Sequence, residues 1–221
     1  MSDSDIVGDI FGWVGSIIST FFFITPVVPF LKLMKEEITI KESPGILLVC
    51  SLMNCILWAD YGLLKNRYLQ YGPNGLGGSI TLIFVTIFLI YLAGKRLDFA
   101  ILYVSGLLIV VVGLFLLFYH VIDVELTGLI VMIFNVLMYA APGEKMYTVI
   151  KTGNYKLIPI WSTIGALACS GCWLIYGLYL LDWNVIIPNG LGVLAAIIQI
   201  IVFLIYKKKA EKSKSELETQ D

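Results

Sequence analysis

Seven apolar stretches of about twenty residues run through this chain, and their length restricts the fold more than any other feature. An α-helix rises about 1.5 Å per residue, so about twenty residues cross the roughly 30 Å hydrocarbon core of a bilayer. The stretches lie at about residues 10–31, 45–64, 71–92, 99–119, 125–144, 158–181 and 184–206. With 59% hydrophobic residues and a mean hydropathy of +0.90, the chain has more apolar surface than a water-soluble core would bury. We predict an all-α membrane protein with seven transmembrane helices.

The basic residues predict the orientation of these helices. Of the 15 Lys and Arg residues, all except Lys65 and Arg67 follow the first, third, fifth or seventh stretch. Loops rich in Lys and Arg stay in the cytoplasm, so we expect an N terminus that is outside or lumenal and a C terminus that is cytoplasmic. The membrane is either the plasma membrane or an endomembrane. Residues 1–9 then form an extracellular N terminus, and the charged residues 207–221 form a disordered cytoplasmic tail.

The chain also contains an internal repeat. Residues 73–77 read Pro-Asn-Gly-Leu-Gly, and the same five residues recur at 188–192, 115 positions later. At the same offset Trp58 recurs as Trp173, and Tyr61 recurs as Tyr176. Two directly joined copies of three helices would point in opposite directions, and one inserted helix restores the same direction. We therefore predict two parallel three-helix bundles, residues 10–92 and 124–206, joined by a linker helix within residues 93–123.

Four polar or aromatic residues inside these helices are candidate ligands for a solute. Asn74 and Asn189 are equivalent in the repeat, and a side-chain amide both donates and accepts hydrogen bonds, which suits a polyhydroxylated solute. Trp58 and Trp173 are also equivalent, and an indole face can lie against the C–H face of a sugar ring. We expect these residues to line a central cavity near the midplane. The alternatives are asparagines that bridge helices and tryptophans in an interfacial belt.

Proline and aspartate residues mark further candidate positions. Pro26, Pro44, Pro142 and Pro159 lie toward the cytoplasmic ends of their stretches, where each either serves as a hinge or ends a helix. Asp60 is a carboxylate within an apolar stretch, either as a proton or ion site or as an interfacial group. We find no nucleophile with a base, phosphate loop or metal-ligand cluster, so we expect no enzymatic activity, cofactor or metal.

These residues together resemble the eukaryotic SWEET sugar transporters over essentially all seven stretches. The resemblance rests on these motifs: Thr25-Pro26-x-x-Pro29-Phe30, Leu52-x-Asn54-Cys55-x-Leu57, Tyr61-Gly62, Asn74-Gly75, Pro142, Val149-Ile150-Lys151-Thr152, Pro159, Trp173-x-x-Tyr176-Gly177 and Ile187-Pro188-Asn189-Gly190. It implies bidirectional, facilitated sugar transport by alternating access. It also implies sugar binding by Asn74, Asn189 and Trp173, with Trp58 at the corresponding wall of the first half. The outer gate that it implies includes Tyr61, Tyr176 and Asp182. Pro26, Pro142 and Pro159 match inner hinges of the family, whereas Pro44 lies one turn before the usual position.

The resemblance also implies which residues select the size of the sugar. Four positions around the pocket, one turn before the prolines or tryptophans, are occupied here by Phe22, Met138, Asn54 and Cys169. Three of them are bulky, as in family members that prefer hexoses, and Cys169 is small. We therefore expect a monosaccharide such as glucose rather than sucrose.

Two other functions fit parts of the pattern. A proton-coupled amino acid carrier of the PQ-loop type would use Asp60, although the diagnostic Pro-Gln pair is absent. A heptahelical receptor would also have seven spans and an outside N terminus, but a parallel repeat is not typical of that class. We expect a sugar substrate and a lipid bilayer as partners and no nucleic acid. Glycine-rich faces such as Gly75, Gly77 and Gly78 leave homo-oligomerisation open.

Overall fold

The computed structural model describes residues 3–38, 45–96, 100–101, 104, 123–138 and 140–218. In these ranges the secondary structure is helical, and we number the helices in chain order. They are α1 (Asp3–Ile24), α2 (Val27–Met34), α3 (Gly45–Leu64), α4 (Tyr68–Lys95), α5 (Val124–Leu137), α6 (Ala140–Thr152), α7 (Ile160–Leu180) and α8 (Trp183–Glu218), with a short 3-10 turn at Tyr155–Leu157. The predicted linker helix at about 99–119 lies outside the described residues.

The first predicted helix is interrupted, which corrects the continuous helix expected at 10–31. Helix α1 ends at Ile24 and α2 begins at Val27. Pro26 has no N–H with which to continue the hydrogen-bond ladder, and Thr25 closes the last turn with its backbone N and its Oγ1 both bonded to the carbonyl of Phe22, at 3.2 and 2.8 Å. Pro26 takes the N-cap position of α2, where a missing N–H costs nothing.

The fifth predicted helix is interrupted in the same way, which corrects the continuous helix expected at 125–144. Helix α5 ends at Leu137 and α6 begins at Ala140. Pro142 is the third residue of α6, within the first turn, whose N–H groups have no helical partner in any case. The sequence repeat is therefore matched by a repeated break in the helix that opens each half.

The two helical hairpins, α3–α4 and α7–α8, turn through equivalent residues. Asn66 has a φ of 53° and Leu181 a φ of 50°, so both lie in the left-handed region. Such a residue ends a helix because it turns the chain away from the helical path. Asparagine adopts this conformation readily, whereas leucine is strained there because its Cβ approaches the carbonyl oxygen.

The last helix is longer than a membrane span, which corrects the disorder expected in the tail for residues 207–218. Helix α8 has 36 residues, a length of about 54 Å at 1.5 Å per residue. It runs without interruption through the lysine-rich segment after Tyr206 as far as Glu218. Within this segment Lys207 pairs with Glu211 one turn later, at a separation of 3.8 Å, and a pair at this spacing favours the helix.

The chain forms two compact units. The first unit is Gly12–Val131, and the second is Met1–Phe11 with Met132–Asp221. In the first unit, α2 packs its buried Phe30 and Leu33 against Phe88 and Leu92 of α4. Glu36, just after α2, forms an ion pair with Lys95 at the end of α4, and this pairing lowers the pKa of Glu36.

Four segments within the described ranges are long and apolar enough to cross a bilayer. They are Ile6–Met34, Tyr68–Lys95, Ile160–Leu180 and Trp183–Lys212, and Leu48–Leu64 and Val124–Leu137 are shorter apolar helices. Large apolar side chains such as Phe21, Ile83 and Ile90 are exposed on these segments. In water such faces would be unfavourable, whereas lipid tails cover them. The lengths and exposed surfaces fit the membrane fold predicted from the sequence.

Candidate functional site

The two repeated asparagines have the same local geometry. The Nδ2 atom of Asn74 donates to the carbonyl of Gln70 at 2.8 Å, and Nδ2 of Asn189 donates to the carbonyl of Val185 at 2.8 Å. Each bond reaches one turn back along the asparagine's own helix and fixes the side-chain rotamer. It uses one of two amide hydrogens, so the second N–H and the Oδ1 acceptor suit a hydroxylated ligand. Both side chains are half-buried.

The proline before each asparagine lies inside a helix. Pro73 is in the second turn of α4 and Pro188 in the second turn of α8. Proline cannot donate to the carbonyl four residues earlier, so Pro73 leaves the carbonyl of Leu69 without its usual helical donor. The hydroxyl of Ser16 on α1 lies 3.1 Å from that carbonyl oxygen. The sequence analysis did not single out Ser16. A polar residue in an apolar helix is a signal that could have indicated it. The sequence alone does not show that Ser16 faces α4.

The repeated tryptophans are both held by the tyrosine three residues later. The rings of Trp58 and Tyr61 have centroids 6.1 Å apart and planes at 74°, and those of Trp173 and Tyr176 have centroids 5.4 Å apart and planes at 85°. Edge-on packing of this kind is a favourable aromatic geometry. Both tyrosines are buried, so they act as fixed supports for the indoles.

Trp58 lies at the level of Asn74 within the first hairpin. Near the turn, a Cβ added to Gly62 would be 2.7 Å from the backbone N of Tyr71, and further along a Cβ added to Gly78 would be 3.5 Å from the Cβ of Cys55. Trp58 is between Cys55 and Gly62 on α3, and Asn74 is between Tyr71 and Gly78 on α4. The antiparallel register therefore brings the predicted stacking residue and the predicted hydrogen-bonding residue to one depth.

The second hairpin has the same register. A Cβ added to Gly177 would be 2.9 Å from Cγ1 of Val185, and one added to Gly190 would be 3.8 Å from Cδ1 of Leu174. Trp173 and Asn189 are the neighbours of Leu174 and Gly190, so they too share one depth. Each half thus brings together the same pair of side chains, an indole and an amide.

The four predicted size-selecting residues are all half-buried. Phe22 lies in the last turn of α1, where its carbonyl accepts the bonds that end the helix. Met138 lies directly after α5, in the corresponding interruption of the second half. Asn54 and Cys169 each lie one turn before the tryptophan of their helix. The two bulkier residues therefore stand at the breaks in the helices, where a change of backbone conformation would move them.

The residues predicted for the outer gate differ between the halves. In the first, the cationic groups of Lys65 and Arg67 lie 5.8 and 6.0 Å from the ring centroid of Tyr61, and Lys65 also pairs with Glu125 at 3.1 Å. In the second, Asp182 occupies the position equivalent to Arg67. Its Oδ1 accepts a hydrogen bond from the backbone N of Asn184 at 3.0 Å and caps the start of α8.

The predicted hinge prolines begin helices rather than interrupt their interiors. Pro26 is the N-cap of α2 and Pro159 the N-cap of α7, and Pro142 lies in the first turn of α6. Pro44 lies outside the described residues. A proline at the start of a helix fixes φ without losing a hydrogen bond, so at these positions it defines where the rigid segment begins.

Four buried polar atoms lack a hydrogen-bond partner among the described residues, and all lie in the first half. They are Oδ1 of Asn54, Oδ2 of Asp60, and both Nε2 and Oε1 of Gln70. The equivalent positions of the second half are Cys169, Ile175 and Val185. At these three positions the first half carries amide or carboxylate groups and the second half carries none, and buried polar groups of this kind are commonly served by water or a ligand.

The comparisons with known proteins agree with this architecture. The family model described as "Sugar efflux transporter for intercellular exchange" matches residues 9–96 and again 125–211. Bidirectional sugar transporter SWEET1a of Sorghum bicolor is 36% identical over 209 residues, which cover 90% of this chain and 76% of that protein. Bidirectional sugar transporter SWEET5 of Arabidopsis thaliana is 32% identical over 218 residues, which cover 94% of this chain and 90% of that protein.

A solved structure gives the same result for the fold. The 3.7 Å structure of a eukaryotic SWEET transporter matches with a TM-score of 0.84 and 26% sequence identity, covering 94% of this chain and all of that one. The class is that of all-α membrane proteins, as predicted. Within that class, the chain belongs to the SWEET family of sugar transporters.

Proposed function

We propose that this protein is a bidirectional, facilitative sugar transporter that moves a monosaccharide such as glucose across its membrane by alternating access. The observation that supports it most strongly is the repeated pair of an indole and an amide at one depth of each hairpin. The amides of Asn74 and Asn189 hydrogen-bond the hydroxyls, and Trp58 and Trp173 lie against the apolar face of the sugar ring. Membership of a sugar transporter family supports the substrate class.

The preference for a monosaccharide follows from bulk around the sugar. Phe22, Met138 and Asn54 are large, and Phe22 and Met138 stand where each opening helix is interrupted. A disaccharide needs room for a second ring, which these side chains fill. Replacing the largest of them by alanine, in Phe22→Ala, is expected to increase sucrose uptake relative to glucose uptake.

The breaks in α1–α2 and α5–α6 support alternating access. A helix interrupted at a fixed residue can change direction there without losing further hydrogen bonds, so the segments on either side can move separately. Pro26, Pro142 and Pro159 set where those segments begin. The distribution of Lys and Arg supports an outside or lumenal N terminus and a cytoplasmic C terminus.

The experiment uses purified protein in liposomes with no imposed ion gradient. Uptake of labelled glucose, fructose and sucrose is measured together with efflux from preloaded vesicles, and the double variant Asn74→Ala/Asn189→Ala serves as the control that lacks binding amides. We expect saturable glucose flux, equal in both directions, that the control abolishes. Absence of flux of every sugar from folded, inserted protein would overturn the proposal.

A second candidate function, proton-coupled transport, is favoured by Asp60. This carboxylate lies in α3, and its buried Oδ2 has no hydrogen-bond partner among the described residues. An intramembrane carboxylate often carries a transported proton. A pH gradient that drives accumulation of solute in the wild-type protein but not in Asp60→Asn would establish coupling, and equal uptake with and without the gradient would exclude it.

A further inference from the structure

The break in hydrogen bonding at Pro73 is repaired by a residue of another helix. Leu69 lies four residues before Pro73, so its carbonyl would normally accept the N–H that Pro73 lacks. Leu69 is 2% exposed, so its carbonyl is shielded from bulk water. The hydroxyl of Ser16, itself 5% exposed, lies 3.1 Å from the carbonyl oxygen of Leu69. A buried carbonyl with no donor is costly, so this contact stabilises the interrupted turn.

The hydroxyl of Ser16 has one hydrogen and two candidate acceptors. It lies 2.7 Å from the carbonyl of Gly12, one turn back in α1, as well as 3.1 Å from that of Leu69. The carbonyl of Gly12 also accepts the backbone N–H of the α1 ladder, whereas that of Leu69 has lost its ladder donor to Pro73. The hydrogen therefore stabilises the protein more when it is donated to Leu69, across the two helices.

The turn held in this way carries the candidate sugar-binding amide. Asn74 follows Pro73 directly, and its Nδ2 is bonded to the carbonyl of Gln70, the peptide group next to that of Leu69. Motion of the turn at 69–73 therefore moves the amide. The second half has Met132 at the position equivalent to Ser16, counted with the offset that pairs Phe22 with Met138. Methionine has no hydroxyl, so this hydrogen bond belongs to the first half.

We propose that Ser16 is a positioning residue for sugar binding: it donates to the carbonyl that Pro73 leaves without a helical donor and thereby fixes the orientation of Asn74. The inference rests on the proposed function for its consequence in transport, because the ligand of Asn74 is taken to be the sugar. It predicts that Ser16 changes sugar affinity without touching the sugar.

The test is a double-mutant cycle between Ser16 and Pro73. In the wild-type background Ser16→Ala is expected to raise the apparent KM for glucose about fivefold, the effect of about one hydrogen bond, with little change in maximal rate. In the Pro73→Ala background the new N–H of residue 73 donates to Leu69, so Ser16→Ala is expected to have no further effect on KM. Ser16→Thr keeps a hydroxyl and is expected to restore the wild-type KM.

Thr20 provides a matched control on the same helix. Its Oγ1 donates only within α1, to the carbonyl of Ser16 at 2.9 Å, so Thr20→Ala removes a hydroxyl without removing an interhelical bond. We expect its KM to equal that of the wild type. An equal change of KM for Ser16→Ala in both backgrounds, or for Thr20→Ala, would overturn the inference.

Melting temperatures of the same variants test the hydrogen bond between Ser16 and Leu69 separately from the proposed sugar transport. If the wild-type protein carries no sugar, the proposed function fails, and the cycle is evaluated on stability instead. Ser16→Ala is then expected to lower the melting temperature in the wild-type background and not in the Pro73→Ala background. Additive changes in melting temperature would overturn the hydrogen-bond part of the inference independently of transport.

Discussion

The indole of Trp173 meets the ring of Tyr176 almost edge-on, with centroids 5.4 Å apart and planes at 85°. Tyr176 is buried and lies one turn further along α7, so it determines how the indole is presented. Trp58 and Tyr61 repeat this arrangement in the first half, with centroids 6.1 Å apart. The tyrosines predicted for an outer gate are therefore also in contact with the predicted sugar-stacking rings.

This contact predicts that Tyr176 affects sugar affinity through its ring. Tyr176→Leu removes the edge that orients Trp173, and we expect the apparent KM for glucose to rise about fivefold, in line with the energy of one aromatic pair. Tyr176→Phe keeps the ring edge and is expected to have a KM close to that of the wild type. Uptake kinetics in liposomes measure both variants. Equal KM values for the Leu and Phe variants would contradict the prediction.

Removal of either proposed binding amide is expected to abolish sugar uptake while the protein still folds. Asn74→Ala and Asn189→Ala each lose an amide that we propose to bond the sugar hydroxyls, and we expect uptake to fall at least about tenfold, since a hydrogen-bonded site left incomplete binds poorly. Ser79→Ala is the matched control, because its hydroxyl is exposed and bonds only the carbonyl of Gly75 within α4. Normal uptake by both asparagine variants would contradict the assignment of the site.

Close helix packing predicts different effects of three glycine substitutions. A Cβ at Gly62 would lie 2.7 Å from the backbone N of Tyr71, and one at Gly177 would lie 2.9 Å from a side-chain atom of Val185. Backbone moves less readily than a side chain, so Gly62→Ala is expected to lower stability by about 2 kcal/mol and Gly177→Ala by less. Gly72 has no atom within 4 Å of its Cβ position, and Gly72→Ala is expected to be neutral or to stabilise by up to about 1 kcal/mol. Thermal melting in detergent measures the order of the stabilities of the three variants.

Strain in the second hairpin predicts a stabilising substitution. Leu181 has a φ of 50° and is 80% exposed, so its side chain gains little from packing while its backbone is strained. Leu181→Gly is expected to stabilise the protein by about 1 kcal/mol, because glycine has no Cβ to clash in the left-handed region. Asn66→Gly is the control at the equivalent turn and is expected to gain less, since asparagine tolerates this conformation. A lower melting temperature for Leu181→Gly would contradict the prediction.

The ion pair between Glu36 and Lys95 predicts a pH-dependent contribution to stability. The hydrogen bond and charge of Lys95 lower the pKa of Glu36 below its ordinary value of 4.5. A carboxylate with a lowered pKa stabilises the folded state above the unfolded pKa, and this contribution is lost as the pH falls through the folded value. Glu36→Gln is therefore expected to melt slightly below the wild type at pH 7, and the difference is expected to vanish well below pH 4.5.

Salt and a neighbouring residue provide controls for this pair. Because both groups are exposed, high salt is expected to shrink the difference between Glu36→Gln and the wild type. Glu37→Gln makes the same change of charge one residue later and is expected to leave the melting temperature nearly unchanged. A difference that persists unchanged at pH 3 would contradict the prediction.

The sequence predicts the fold well because hydropathy and the repeat are strong signals. Apolar runs indicated the helices that the structure describes, and the recurrence of Asn74 as Asn189 predicted two halves. The interruptions at Thr25 and Met138 were not predicted, because a proline near a helix end is compatible both with termination and with a new start. The ordered helix beyond Tyr206 was not predicted either, since charged residues with good helix propensity are found in disordered tails as well as in helices.

The candidate site was predictable only in part, for a physical reason. Equivalence in the repeat singled out Asn74 and Trp58, because a functional pair must recur in both halves. Ser16 has no polar equivalent in the second half, so the repeat did not indicate it. Its role depends on a separation of 3.1 Å between its Oγ and the carbonyl oxygen of Leu69 on α4, and such a contact is set by helix packing that hydropathy does not encode. The aromatic contact of Tyr176 with Trp173 follows from helical spacing, but its edge-on angle does not.

Because α8 is long and continuous, a small rotation at one level of the helix produces a large displacement at its far end. From Pro188 to Glu218 the helix extends about 45 Å, so a rotation of about 10° at the level of Asn189 displaces the far end by roughly 8 Å. A small rotation near Asn189 would therefore give a much larger displacement at the C-terminal end of the helix. The distance from a fluorophore near Glu218 to a second fluorophore on another helix would therefore change as the protein passes through its transport cycle.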